Sequence, residues 1–191
     1  MWAQIESNSV TNVYTRPTAI KIGDVHHPSN IMTMWSTSEL EAIGIYEIVI
    51  DNTNLKSGEY YINGAESFNF AGGVVTKSYA SATAIELDDT TVTVGGEDYT
   101  NKGLKTQKKE TINNEANSLL TRYDWYTLRE ASGGTAAPSA VTTYQAAVRT
   151  AANSMCTKID AAANVDALAA LYVYNSDDPP VRPLGEWPDT P

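Results

Sequence analysis

Cysteine is nearly absent: the 191 residues hold only Cys156, so no intramolecular disulfide framework can staple the fold. Its setting, AANSMCTKI, is an apolar helix pattern in which a free thiol acts as a small hydrophobe. A thiol nucleophile would want a basic, partly exposed setting with a histidine near, and the two histidines, His26 and His27, lie far off in sequence. Being adjacent, they point apart on a loop or strand and make a poor metal chelate, so they read as surface residues beside Pro28. No stretch approaches the ~20 apolar residues of a membrane-spanning helix. MWAQIESNSV has no basic region followed by an apolar core, so a soluble protein made in a reducing compartment is expected. Basic residues are also scarce. Thirteen Lys and Arg face 23 Asp and Glu, giving a net charge of −10, whereas nucleic-acid binding needs clustered cations. The one basic cluster, Lys102, Lys105, Lys108 and Lys109, reads as a solvated helix face partly neutralised by Glu110 and Glu115.

Chemistry-bearing motifs are missing as well. Asp88-Asp89 and Asp177-Asp178 lack the alternating acids, glycine and terminal Glu of a calcium loop. Gly72-Gly73, Gly95-Gly96 and Gly133-Gly134 are isolated pairs suited to turns, and none precedes Lys-Ser/Thr as in a phosphate cradle. There is no Gly-x-Ser-x-Gly elbow, and no Ser, His and Asp are singled out as a triad. The residues predict neither an enzyme nor a bound cofactor or metal.

What is present is a change of pattern along the chain. WAQIE and VTNVYT read as a hairpin turning at Ser7–Ser9, followed by an irregular stretch over 15–35 with Pro17 and Pro28. Ser36-x-x-Glu39 is a capping box that opens a short helix over about 37–43, stopped by Gly44. Strands are predicted at 45–50, 58–64, 66–73, 74–80 and 90–94. Beyond Asn101 the apolar spacing becomes helical: one helix through Leu104, Ile112, Ala116, Leu119, Leu120 and Tyr123, then a second from Pro138 or Ser139 through Ile159. A short third helix covers Asp166–Tyr172, capped by Asn164 or Asp166. The tail NSDDPPVRPLGEWPDTP holds five of the eight prolines and cannot be helix or central strand. The prediction is therefore an α+β chain. It has a small antiparallel β-rich docking module with one short helix (1–97), a helical hairpin region with a third helix (98–174), and an extended Pro-rich arm (175–191).

Four Trp and eleven Tyr against two Phe favour rings with a polar tip, as used at interfaces and sugar platforms, although core packing is the commoner fate of any one ring. At the corner between the long helices, Asp124 is placed to cap Trp125–Ala131 and Trp125 to fill the interhelical angle. Arg149 is placed to reach back to Asp124 or to backbone carbonyls, and a buried Asp–Arg pair specifies arrangement more than it stabilises. In the tail, Leu184 and Trp187 are predicted to dock on a neighbouring molecule, so that loss of 175–191 would weaken assembly and leave the body folded.

The series Leu119, Leu120, Asp124, Trp125, Arg129, Pro138, Tyr144 and Arg149 resembles a segment of small bacteriophage tail proteins, in which a leucine pair, Asp-Trp, Arg, a Pro-bearing loop and a Tyr-x4-Arg helix recur in that order. The opening MWAQIESNSVTNVY is similar to the start of many tail-associated proteins. Ser38–Ile45, Tyr60–Ala80 and Asp166–Tyr172 extend the likeness over most of the chain. Gln145 departs from it, since relatives often carry Arg there. The resemblance implies a non-enzymatic, self-associating tail-fibre or baseplate-associated virion protein, made in the host cytoplasm and binding other tail proteins. Some family members are tail-fibre assembly chaperones, absent from the mature virion, and this is the first alternative. The second is a glycan-binding receptor-recognition module that uses exposed Tyr and Trp on a host-surface glycan.

Overall fold

The computed structural model describes all 191 residues and has the α+β layout, with strands early and helices late. The chain divides into two units, 1–83 and 84–191, with the division inside the two-residue strand β9 (Thr83–Ala84).

In the first unit, β1 (Trp2–Glu6) and β2 (Ser9–Tyr14) form the expected hairpin. Its two turn residues, Ser7 and Asn8, have φ of 50° and 66°, the double left-handed turn whose twist matches paired strands. A bulge at Gln4/Ile5 leaves Thr11 unpaired in the ladder, and its hydroxyl donates to the Gln4 carbonyl. Gln4 itself is buried and satisfied: its Oε1 accepts from Tyr14 Oη (2.7 Å) and Asn12 Nδ2 (3.2 Å), and its Nε2 donates to Glu6 (2.8 Å).

The stretch 15–35 is not wholly irregular. It contains a tight hairpin, β3 (Ile20–Ile22) and β4 (Val25–His27), and one helical turn, α1 (Ile31–Met34). The alternation in IKIGDVHH was too brief to stand out. Burial of Ile20, Ile31 and Met32 with Leu40 and Ile45, against Trp2, Tyr14, Ile22 and Ile43, is what orders it. α2 (Thr37–Ala42) carries the predicted capping box, with Ser36 N–H donating to Glu39 at 2.8 Å, and Gly44 at φ 79° ends it.

The remaining strands are β5 (Ile45–Ile50), β6 (Tyr61–Ile62), β7 (Glu66–Ala71) and β8 (Val74–Tyr79), the last two joined by Gly72-Gly73. The five-stranded sheet runs β2-β1-β5-β8-β7. One pairing, β5 with β8, is parallel, which the long connection 51–73 permits. The outer strands β2 and β7 approach one another without pairing, so the sheet is curled and both remain its edges.

In the second unit, β10 (Thr90–Val94) and β11 (Glu97–Asn101) form a ribbon turning at Gly95-Gly96. The predicted boundary near residue 97 is displaced to 83 because residues 86–89 are bonded to the start of α3 (Leu104–Thr121). Leu104 and Lys105 N–H donate to the Glu86 and Leu87 carbonyls (2.9 and 3.0 Å), Gly103 N–H to Asp89 (2.8 Å), and Lys105 pairs with Asp88 at 3.1 Å. The Gly103 and Thr106 bonds hold the Asp89 carboxyl below its ordinary value. The stability that this carboxylate contributes is present above its unfolded pKa and lost as pH falls through the lower folded one. The protection factor of the Gly103 amide, exchange measured relative to the intrinsic rate at each pH, should therefore fall on acidification through that range in the wild type. An Asp89→Asn chain with the same pH response would refute this assignment.

After α3 come α4 (Asp124–Ala131), α5 (Ser139–Asp160) and α6 (Val165–Ala170). α3 and α5 pack antiparallel: Lys109 meets Asp160 at 2.7 Å at one end, and Tyr123 meets Tyr144 edge-on at 5.3 Å at the other. Their buried apolar residues are Leu104, Ile112 and Ala116 of α3 and Val141, Tyr144, Val148, Ala152, Met155 and Ile159 of α5, while Leu119 and Leu120 of the predicted α3 face are only half-buried. Asn164 caps α6 by accepting from Ala167 N–H at 2.8 Å. No helix is long and apolar enough to cross a membrane.

Residues 175–191 form no helix or strand, as their prolines require, but they are neither extended nor a free arm: the chain bends over 176–179, Asn175 N–H donates to the Val181 carbonyl (2.8 Å), and Gly185 N–H to the Arg182 carbonyl (3.0 Å) closes a second turn. Leu184 is 1% exposed, its N–H donates to the Leu171 carbonyl (2.9 Å), and Lys158 Nζ clasps the Pro183 and Leu184 carbonyls at 2.8 and 3.0 Å. Trp187 Nε1 donates to Glu115 of α3 at 3.0 Å. Leu184 and Trp187 thus dock on the chain's own helices, held by the burial of Leu184 and by the bonds from Lys158 and to Glu115.

Candidate functional site

No group of three or more His, Cys, Asp or Glu side chains converges in a metal-binding arrangement. The acidic pairs serve local structure: Asp88 and Asp89 fasten the start of α3, and Asp177 accepts from Asn175. His27 stands edge-on to Trp35 at 5.7 Å, while its neighbour His26 is exposed. Burial pushes the Cys156 thiol up, an effect only partly opposed by Lys109, so the sulfur stays protonated near neutral pH.

The corner at α4 is the most unusual surface of the second unit. This eight-residue helix buries none of its residues. Trp125 is 51% exposed and Leu128 67% exposed. A helix this short is marginal by itself, and its neighbours hold it in place. Arg129 lies over both the Trp125 and Tyr126 rings (4.8 and 5.2 Å) and donates to the Thr135 and Ala136 carbonyls at 2.9 and 3.1 Å. Glu130 accepts from Ala137 N–H at 3.1 Å, and Gly134 N–H donates to the Arg129 carbonyl at 2.9 Å. Trp125 and Tyr126 lie 3.8 Å apart, and Tyr126 and Tyr123 stack at 6.5 Å. With Tyr123 against Tyr144, four rings run from the helix pair out to the surface.

Several predicted roles change in this light. Asp124 does not cap α4: Tyr123 occupies that position, no side chain caps it, and Asp124 is an exposed first-turn residue. Its charge there suits the helix dipole. Arg149 is exposed on α5 and forms no buried pair with Asp124; the two stay in solvent, where no desolvation cost has to be offset. Trp125 lies on the outside of the corner, and Tyr123 with Tyr144 fills the inside. Tyr144 is 4% exposed and is a packing residue, as is Leu184. Arg129 organises the corner, and its position four residues after Trp125 is the spacing that stacks a cation on a helical aromatic.

A second feature is a groove of about 460 Å³ lined by Thr111, Asn114, Glu115, Ser118 and Leu119 of α3 and by Trp187 of the tail. Comparison with known protein families, curated proteins and solved structures finds no match.

Proposed function

We propose that this chain is a non-enzymatic structural component of a bacteriophage tail, associated with the fibre or baseplate, and that it works through protein–protein contacts. The phage assignment rests on the ordered residue resemblance from Leu119 to Arg149 and at the N-terminus. The contact mechanism is supported above all by the α4 corner, where Trp125 and Leu128 are presented to solvent on a helix that buries nothing. An exposed indole held by a stacked cation suits a docking site, because little side-chain entropy is lost on contact, and Leu128 adds apolar surface beside it. The reading includes self-association and location in the virion.

Quantitative mass spectrometry of purified particles tests the assignment. Stoichiometric presence supports a tail component, and abundance in infected cells with absence from particles would replace it with the assembly-chaperone alternative. Leu128→Ser, at a residue 67% exposed and outside the ring and cation contacts that hold α4, should leave the melting temperature near wild type and should lower incorporation into particles severalfold. Unchanged incorporation would exclude α4 as the contact.

A further inference from the structure

The geometry points to the groove between α3 and Trp187 as a binding site for a neutral pyranose sugar, a function separate from the α4 contact. Thr111, Asn114, Glu115 and Ser118 stand at i, i+3, i+4 and i+7 of α3 and so share one helix face. Trp187 forms the facing wall, with its indole N–H held on Glu115 at 3.0 Å, and Leu119 adds an apolar surface. At about 460 Å³ the groove falls in the size range of small-ligand sites.

Its chemistry is that of a sugar ring, which has apolar C–H faces and a polar rim. The indole ring and Leu119 match the faces. Around the rim, Asn114 offers both a donor and an acceptor, Ser118 a hydroxyl, and Glu115 the carboxylate capacity left beyond its bond from Trp187. Thr111 Oγ1 donates to the Gln107 carbonyl at 3.1 Å, which leaves it as an acceptor. The only charge lining the groove is the Glu115 carboxylate, with no Lys or Arg, so phosphorylated, sulfated or acidic sugars are disfavoured. The tail is thereby a working part of the site as well as a structural strap.

The test uses the full chain with methyl glycosides of glucose, galactose and mannose, with N-acetylglucosamine, and with glucuronate as the anionic control. The Trp187 indole N–H resonance is followed by 15N NMR and assigned by its loss in Trp187→Phe. A saturable shift is expected with at least one neutral sugar and not with glucuronate. Asn114→Ala/Ser118→Ala, changing two exposed side chains, should melt like wild type and bind about tenfold more weakly, the loss of one or two hydrogen bonds. The proposal is overturned if no neutral sugar moves the resonance, if glucuronate binds equally well, or if the double variant binds like wild type. None of these outcomes depends on whether the chain is present in particles.

Discussion

Leu184→Ala is expected to destabilise the second unit by about 2–5 kcal/mol, the range for removing a fully buried leucine side chain without collapse of the surroundings. Leu184 is 1% exposed although it lies in the most proline-rich stretch of the chain. At roughly 2–4 °C per kcal/mol for a chain of this size, a fall in Tm on the order of 10 °C should be seen by circular dichroism at 222 nm. Deleting 175–191 should cost at least as much, since it also removes the Lys158 clasp and the Trp187–Glu115 bond. This reverses the expectation that the tail is separable from the body. A truncated chain melting like wild type would restore that expectation.

Gly103→Ala is expected to be the most damaging small substitution. A Cβ at this position would sit 2.4 Å from the carbonyl carbon and oxygen of Asp88 and 2.7 Å from the Leu87 carbonyl oxygen. These are backbone atoms, and they cannot rotate away. Relief requires residues 86–89 to part from the start of α3, which breaks the bonds of Leu104 and Lys105 to Glu86 and Leu87 and exposes Leu104, now 3% accessible. Overpacking of this kind costs roughly 1–3 kcal/mol and sometimes more. Gly58→Ala is the matched control, because nothing lies within 4 Å of its added Cβ and its φ is not positive. Reduced entropy of the unfolded chain should make that variant neutral or about 0.4–1 kcal/mol more stable. Equal melting temperatures for the two variants would refute the close approach at Gly103.

The elements read most directly from sequence were those specified by neighbours in the chain. The Ser36–Glu39 capping box with Gly44, the glycine-pair turns, and the apolar faces of α3 and α5 each depend on spacing within a few residues. The hairpin at 20–27 is not legible in the sequence because three-residue strands carry too little alternation. β11 is hidden for a related reason: all five of its residues are exposed, so no buried face marks it as a strand.

The candidate sites were legible only in part. Trp125 and Trp187 stood out as unusual residues, but which side of a helix each ring takes is decided by what else competes for the interior. Tyr123 and Tyr144 occupy the inside of the corner, so Trp125 remains outside with Arg129 stacked on it. Sequence patterning by itself determined the α+β order, the turns and the helix faces, because these arise from local backbone preference and the burial of one periodic stripe. Tertiary structure alone decided that β5 and β8 run parallel, that residues 84–101 belong with the helices, and that the tail closes over α3 and α5. Those outcomes depend on contacts between residues far apart in the chain, such as Glu115 with Trp187 and Lys158 with Leu184, whose free energy no local pattern records.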